Sequence, residues 1–160
     1  MPSLPEGPRA AAGAVLPIRI LLVDDDEAFR ESVCAAVARD GAMTLAAQAG
    51  SVALAREAIV RGNFDVALVD LGLPDGNGID LIREIARTRP ETDVMVVTVF
   101  GDEAHVLASV EAGATGYVLK RSLNDLGETV RELRAGGSPI SPVIARQLLQ
   151  RFKHGGGEAP

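Results

Sequence analysis

Several polar residues of this chain stand where apolar runs stop. "LLVDDDEAF" (Leu21–Phe29) drives an aliphatic stretch straight into Asp24, Asp25 and Asp26, with Glu27 behind them. "DVALVDLGLPDGNG" places Asp70 after a second such run, "DVMVVTV" contains Thr98, and "TGYVLK" closes on Lys120. Two unit charges about 4 Å apart repel by roughly 4 kcal/mol at an effective dielectric near 20, so clustered carboxylates either spread into water or gather round a cation. Mg²⁺ suits the second case, because it is hard, keeps several waters, and takes one or two carboxylates plus phosphate oxygens. Asp70 is a candidate third ligand and also a candidate nucleophile, since carboxylates can form acyl phosphates. Phosphoryl transfer asks a protein mainly for position and charge neutralisation. The Lys120 ammonium would offset phosphoryl oxygens, and the Thr98 hydroxyl would donate to one of them. In "GLPDGNG", Gly72 would let its carbonyl approach the metal with no side chain in the way.

These residues act together only if the elements before them bring them together. "IRILLVD", "DVALVDL" and "DVMVVTV" are continuous apolar runs of the kind expected for strands covered on both faces; "MTLAAQA" and "TGYVL" are shorter or weaker strands. Between them lie helical patterns. "EAFRESVCAAVARD" spaces Phe29, Val33 and Val37 by four and stops at Gly41, and "SVALAREAIVRG" is capped by Ser51 and stopped by Gly62. "IDLIREIARTR" ends before Pro90, "DEAHVLASVEAG" follows the fourth strand, and "SLNDLGETVRELRAGG" carries the stripe Leu123, Leu126, Val130, Leu133. Five β-α units of this kind predict right-handed crossovers and a parallel sheet with helices on both faces. Ligands of such sheets bind at the carboxyl ends of the strands, which is where Asp24, Asp25, Asp70, Thr98 and Lys120 fall.

The totals set limits. A chain of 160 residues fits one domain, and 47% hydrophobic residues with 3% aromatics predict an aliphatic core. A formal charge of −6 argues against nucleic-acid binding by this chain. No apolar run reaches the ~18 residues of a membrane span, so a cytoplasmic protein is expected. The single cysteine, Cys34, excludes an internal disulfide and is expected to be a small core residue. Residues 1–16, rich in Pro, Ala and Gly, read as a flexible leader, and 154–160 as a flexible tail. After Gly137, "SPISPVIARQLLQRF" predicts a separate short helix over 137–153, with Pro142 in its first turn and Ile144, Leu148 and Phe152 spaced by four.

Taken together, the acidic pair, Asp70, Thr98 and Lys120, each in order at a strand end, resemble the receiver domain of two-component response regulators over about Ile18–Gly136. The resemblance implies a flavodoxin-like, doubly wound five-stranded parallel sheet in the order 2-1-3-4-5. It also implies Mg²⁺ held by Asp24, Asp25, Asp70 and the Gly72 carbonyl, and phosphorylation of Asp70 by a sensor histidine kinase. Thr98 and Lys120 would then contact the phosphoryl group and Tyr117 would reorient on activation. The segment after Gly136 resembles the linker helix of the NarL/FixJ branch, which leads to a LuxR-type DNA-binding domain that this sequence lacks. A phosphorylation-dependent homodimer fits that branch. Two positions depart from the family pattern: Val99, where many receivers carry Ala, and Arg121, where many carry Pro with a cis peptide before it.

Simpler readings stand beside these. Asp26 is expected to cap a helix and Glu27 to favour its first turn. Tyr117 is equally a core-edge aromatic, His105 an exposed helix residue, and Arg146, Arg151, Lys153 and His154 a solvated basic face. Two other functions compete with the switch. One is a haloacid-dehalogenase-like Mg²⁺ phosphohydrolase using Asp24-x-Asp26, although the short loops leave little room for a substrate cap. The other is a pseudo-receiver, a binding module that works without phosphate.

Overall fold

The computed structural model describes residues 16–155, so all of the proposed leader except Leu16, and the tail beyond Gly155, lie outside the described residues. The elements are β1 (Ile18–Val23), α1 (Glu27–Asp40), β2 (Met43–Ala49), α2 (Val52–Arg61), β3 (Val66–Val69), α3 (Gly78–Thr88), β4 (Asp93–Thr98), α4 (Glu103–Ala112), β5 (Gly116–Leu119), α5 (Leu126–Arg134) and α6 (Pro142–Gly155). These five strands pair in parallel in the order β2-β1-β3-β4-β5, the doubly wound, flavodoxin-like arrangement, and a short antiparallel pair, Gly72–Leu73 with Gly76–Asn77, lies between β3 and α3.

Alternation along the strands builds two cores. Leu21, Val23, Ala67, Val69, Val94 and Val96 face α2, α3 and α4, while Ile20, Leu22, Val66, Leu68, Met95 and Val97 face α1 and α5. Burial on both faces is why these strands read as unbroken apolar runs. The helices start and stop on the expected chemistry. Asp26 caps α1 by accepting from the Ala28 and Phe29 N–H groups, Ser51 caps α2 through the Leu54 N–H, and Gly41 ends α1 at φ 79°.

Three local expectations need correction. The last receiver helix does not begin at Ser122: Lys120–Ser122 forms a 3₁₀ turn, and α5 starts at Leu126, where Asp125 accepts from the Glu128 N–H. Cys34 is only half-buried. The C-terminal helix, expected over 137–153, spans Pro142–Gly155 and docks on the receiver core. Ile144 is fully buried in the core beside Leu119, and Leu148 packs against it, whereas Phe152, the third member of the stripe, is 82% exposed. Before this helix, the Tyr117 N–H donates to Pro139 O, the Ser141 N–H to Tyr117 O, and the Leu119 N–H to Ser141 Oγ. The chain therefore covers the open edge of β5. No peptide bond among the described residues is cis, the one after Lys120 included.

Candidate functional site

Ladder register delivers the polar residues to one end of the sheet. The Asp24 N–H continues the β1–β2 pairing by donating to Ala49 O, and the Asp70 N–H continues β3 along β1 by donating to Val23 O, 2.9 Å each. Thr98 is paired with Leu119, so Lys120 emerges one residue past the same level. Gly78, the first residue of α3, completes the approach. A Cβ there would lie 2.3 Å from the Asp70 carbonyl oxygen, so only glycine lets α3 start this close to the aspartate.

The carboxylates of Asp24, Asp25 and Asp70 each present an oxygen within 4.8 Å of the other two, the one such group among the described residues. Asp24 is buried (1% exposed) and fully engaged: Oδ1 accepts from the Asp26 N–H at 2.8 Å, and Oδ2 meets Lys120 Nζ at 2.8 Å. Lys120 Nζ also donates to Asp70 Oδ2 at 3.4 Å and lies 4.4 Å from the centre of the Phe29 ring, a cation–π contact. Asp25 is exposed. Asp70 Oδ1 is buried and has no hydrogen-bond partner. Such a group normally costs about 1–3 kcal/mol, and it calls for an explanation.

The electrostatics are those of a site short of positive charge. Burial pushes the Asp24 carboxyl above the ordinary carboxylate range, the charge of Asp70 pushes the same way, and the Lys120 hydrogen bond and the Asp26 N–H offset only part of this. For Lys120, burial pulls down, but the hydrogen bond to Asp24 and the charges of Asp70 and Asp24 outweigh it and hold the ammonium above its usual value. Asp24 rises chiefly through burial and Lys120 through its two carboxylate neighbours, so three clustered carboxylates share one ammonium. Two negative charges are left unmatched, which suits a divalent cation with oxygen ligands.

Thr98 is fully buried and its Oγ1 accepts from the Phe100 N–H at 3.3 Å. Tyr117 is also buried, donates its hydroxyl to Phe100 O at 2.7 Å, and is kept neutral by burial and by the charges of Asp102 and Asp70. Asp26 points away from the cluster to cap α1, so the Asp24-x-Asp26 pattern supplies no second acid beside Asp24. His105 is half-exposed and occupied by Asp102, the cap of α4. Among the basic residues of α6, Arg151 is paired with Glu103. Phe29 and Phe100 belong to this neighbourhood; the helical spacing puts Phe29 in the α1 stripe, but nothing in the sequence links either ring to the carboxylates.

Residues 20–131 match the family described as the response regulator receiver domain. The chain belongs to this family. It is a receiver domain of two-component systems, similar over 137 residues, at 31% identity, to the DNA-binding transcriptional activator DevR/DosR of Mycobacterium tuberculosis; the match covers 85% of this chain and 63% of that protein. The chain thus spans about three fifths of the length of the curated relatives it matches first. A LuxR-family response regulator from Aurantimonas sp. SI85-9A1 superposes with a TM-score of 0.79 at 28% identity, over 86% of this chain and 99% of that one. A CheY-like receiver domain protein from Methanospirillum hungatei JF-1 gives 0.69 at 30% identity, over 75% and 95%. Among the described residues no helix is long and apolar enough to cross a membrane.

Proposed function

We propose that this receiver is a switch whose phosphoacceptor is Asp70 and whose donor is a phosphohistidine of a sensor histidine kinase. The observation that carries the reading is Asp70 Oδ1, a buried acceptor without a partner, set in a carboxylate trio beside Lys120. A carboxylate oxygen of Asp70 forms the new bond to phosphorus, the P–N bond to the kinase histidine breaks, and the departing imidazole nitrogen takes up a proton. Asp24, Asp25, Asp70 and the Gly72 carbonyl would hold Mg²⁺, and their hard oxygens and surplus of negative charge fit it. The ion would supply neutralisation of the phosphoryl oxygens.

The remaining work falls to side chains already in place. Lys120 spans Asp24 and Asp70 and would turn its ammonium to a phosphoryl oxygen. Thr98 would donate its hydroxyl to another, giving up the Phe100 N–H contact as it turns. Tyr117, bonded to the same Phe100, would feel that turn, and α4 would shift with it. We assign residues 17–136 to the receiver and 137–153 to a linker segment. The chain acts as a phosphoacceptor rather than a turnover enzyme, works in the cytoplasm, and passes its output through a phosphorylation-dependent homodimer. In a full-length protein like DevR/DosR, a DNA-binding domain would follow and transcription would be the output.

The test is Mg²⁺-dependent labelling by an acyl phosphate, read by mass spectrometry with sizing of the labelled species. Wild type should gain one phosphoryl group and Asp70→Asn none. Labelling of Asp70→Asn at the same segment defeats the assignment.

A further inference from the structure

The loop that carries the Gly72 carbonyl is fastened to α2, a helix that contributes no residue to the carboxylate trio. Gly72 pairs with Asn77 and Leu73 with Gly76, so Pro74 and Asp75 form the tip of a short hairpin. At its root the hairpin is tied to its own neighbours: the Gly78 N–H donates to Leu71 O, and the Ile79 N–H to Asn77 Oδ1. Leu73 is buried, whereas Gly72, Pro74, Asp75, Gly76 and Asn77 are exposed. A two-stranded hairpin is marginal in water by itself, and one buried side chain does little to fix its backbone.

The tip supplies the missing hold. The first amides of a helix have no partner inside it. In α2 the Leu54 N–H goes to Ser51 Oγ at 3.1 Å, while the Val52 and Ala53 N–H groups donate to Asp75, to Oδ1 at 2.7 Å and Oδ2 at 3.1 Å. One carboxylate therefore spans two adjacent amides. These bonds hold the Asp75 carboxyl below the usual carboxylate range, so at neutral pH it is an anion at the positive end of the α2 dipole. Gly76 closes the contact, since a Cβ there would meet Val52 Cγ2 at 3.0 Å. Ser51 is already the usual provision for starting a helix. The second cap comes from the hairpin that bears Gly72.

Resting on the reading that the Gly72 carbonyl is a metal ligand, we propose that Asp75 is a positioning residue for that ligand, clamping its hairpin to the first turn of α2. Without the clamp, the carbonyl would have to be ordered at the moment Mg²⁺ binds, and that ordering opposes binding. The clamp also links the two places thermodynamically. If a formed clamp favours the ion by some factor, a bound ion favours the formed clamp by the same factor. The amides of Val52 and Ala53 should therefore register metal at a site to which α2 lends no ligand.

The experiment titrates wild type, Asp75→Ala, Asp75→Asn and Ser51→Ala with MgCl₂, follows amide NMR shifts, and measures amide exchange with and without saturating metal. Asp75→Ala should bind Mg²⁺ about tenfold more weakly, the lower end of the loss seen when a group that orients a metal ligand is removed. Asp75→Asn keeps one acceptor oxygen and should fall between. Ser51→Ala loses a cap of α2 but not the clamp, and should keep the wild-type affinity. In wild type, Mg²⁺ should slow exchange at Val52 and Ala53 by about tenfold, as reciprocity requires. Should Asp75→Ala fail to fold, Asp75→Asn decides by the same comparison. Wild-type affinity in the Asp75 variants, an equal loss in Ser51→Ala, or exchange at Val52 and Ala53 indifferent to Mg²⁺ overturns the clamp while leaving the metal site in place. Absence of any Mg²⁺-dependent shift around Asp24, Asp25 and Asp70 in wild type overturns both.

Discussion

Replacing Asp24 by Asn should stabilise the metal-free protein, although it removes half of a buried ion pair. The attraction lost is that of Lys120 Nζ to Asp24 Oδ2 at 2.8 Å, about 6 kcal/mol at an effective dielectric of 20. Against it stand the repulsions from Asp70 and Asp25, whose oxygens lie within 4.8 Å, or about 3.5 kcal/mol each before screening. Water weakens the term from exposed Asp25 but hardly that from buried Asp70. The two sides nearly cancel, and the cost of holding a charge at a residue 1% exposed then decides the sign. Asn keeps the shape and can still accept the Asp26 N–H, while Lys120 keeps Asp70. A gain of about 1–2 kcal/mol is expected; removing one partner of a buried pair costs about 3–5 kcal/mol where the other charge is left alone, but here Lys120 is left with Asp70.

Urea unfolding in EDTA, and again in excess Mg²⁺, measures both halves of this expectation. In wild type, ligand at a hundred times its dissociation constant adds about 2.7 kcal/mol. At roughly 3 °C per kcal/mol for a chain of 160 residues, that is about 8 °C in melting temperature. Asp24→Asn should lose most of this shift. The pH dependence has a definite sign. The carboxyl of Asp24 is raised in the folded state, so the folded protein holds its proton longer than the unfolded chain does. Metal-free stability should therefore fall as pH climbs from the unfolded carboxylate value near 4 through the raised one, and the mutant should lack that fall. A mutant clearly less stable than wild type in EDTA would refute the electrostatic reasoning.

Gly78→Ala should cost about 2–3 kcal/mol, because the added carbon would press on the Asp70 carbonyl, and urea unfolding checks it. Ile144→Ala should cost about 2–4 kcal/mol if α6 is part of the core, with faster amide exchange over 142–155; a cost under about 0.5 kcal/mol would mean that the helix is not docked. Asp65 is held below the usual carboxylate range chiefly by its hydrogen bond to Arg19. Its contribution is present above about pH 4 and lost as pH falls through the depressed value, so Asp65→Asn should flatten the acid limb of a stability–pH curve.

The strands were readable because burial on both faces leaves a one-dimensional trace, and the bounds of α1 followed from Asp26 and Gly41. The start of α5 was not, because Leu123 continues the apolar spacing of the helix while Asp125 takes the cap. A stripe on α6 says that one face is apolar but not where it docks, nor that Phe152 runs past the edge of the surface below. The meeting of Asp24, Asp25, Asp70, Thr98 and Lys120 at one end of the sheet was legible because the end of a parallel strand is a place in space as well as in sequence. The contact of Phe29 with Lys120 was not, because it is made across a long separation in the chain, although the ring itself fell in the α1 stripe.

Sequences usually agree with themselves at every level, and the exceptions gather where function requires them. Here the exceptions share one address. Asp70 Oδ1 and Gln147 Oε1 are the buried side-chain atoms without a partner among the described residues, and only the first lies in a cluster of like charge. Beside it a glycine admits the backbone of α3, a buried aspartate is pushed toward its neutral form, and one lysine is divided between two carboxylates. The unpartnered oxygen and the buried carboxylate weaken the resting fold, and both would be relieved by positive charge at the trio. A site stabilised by what it binds responds to binding, because a ligand shifts a conformational equilibrium only as far as it prefers one state. On the proposed function, the same imbalance of charge that favours a cation would give phosphorylation its leverage over Thr98, Tyr117 and α4.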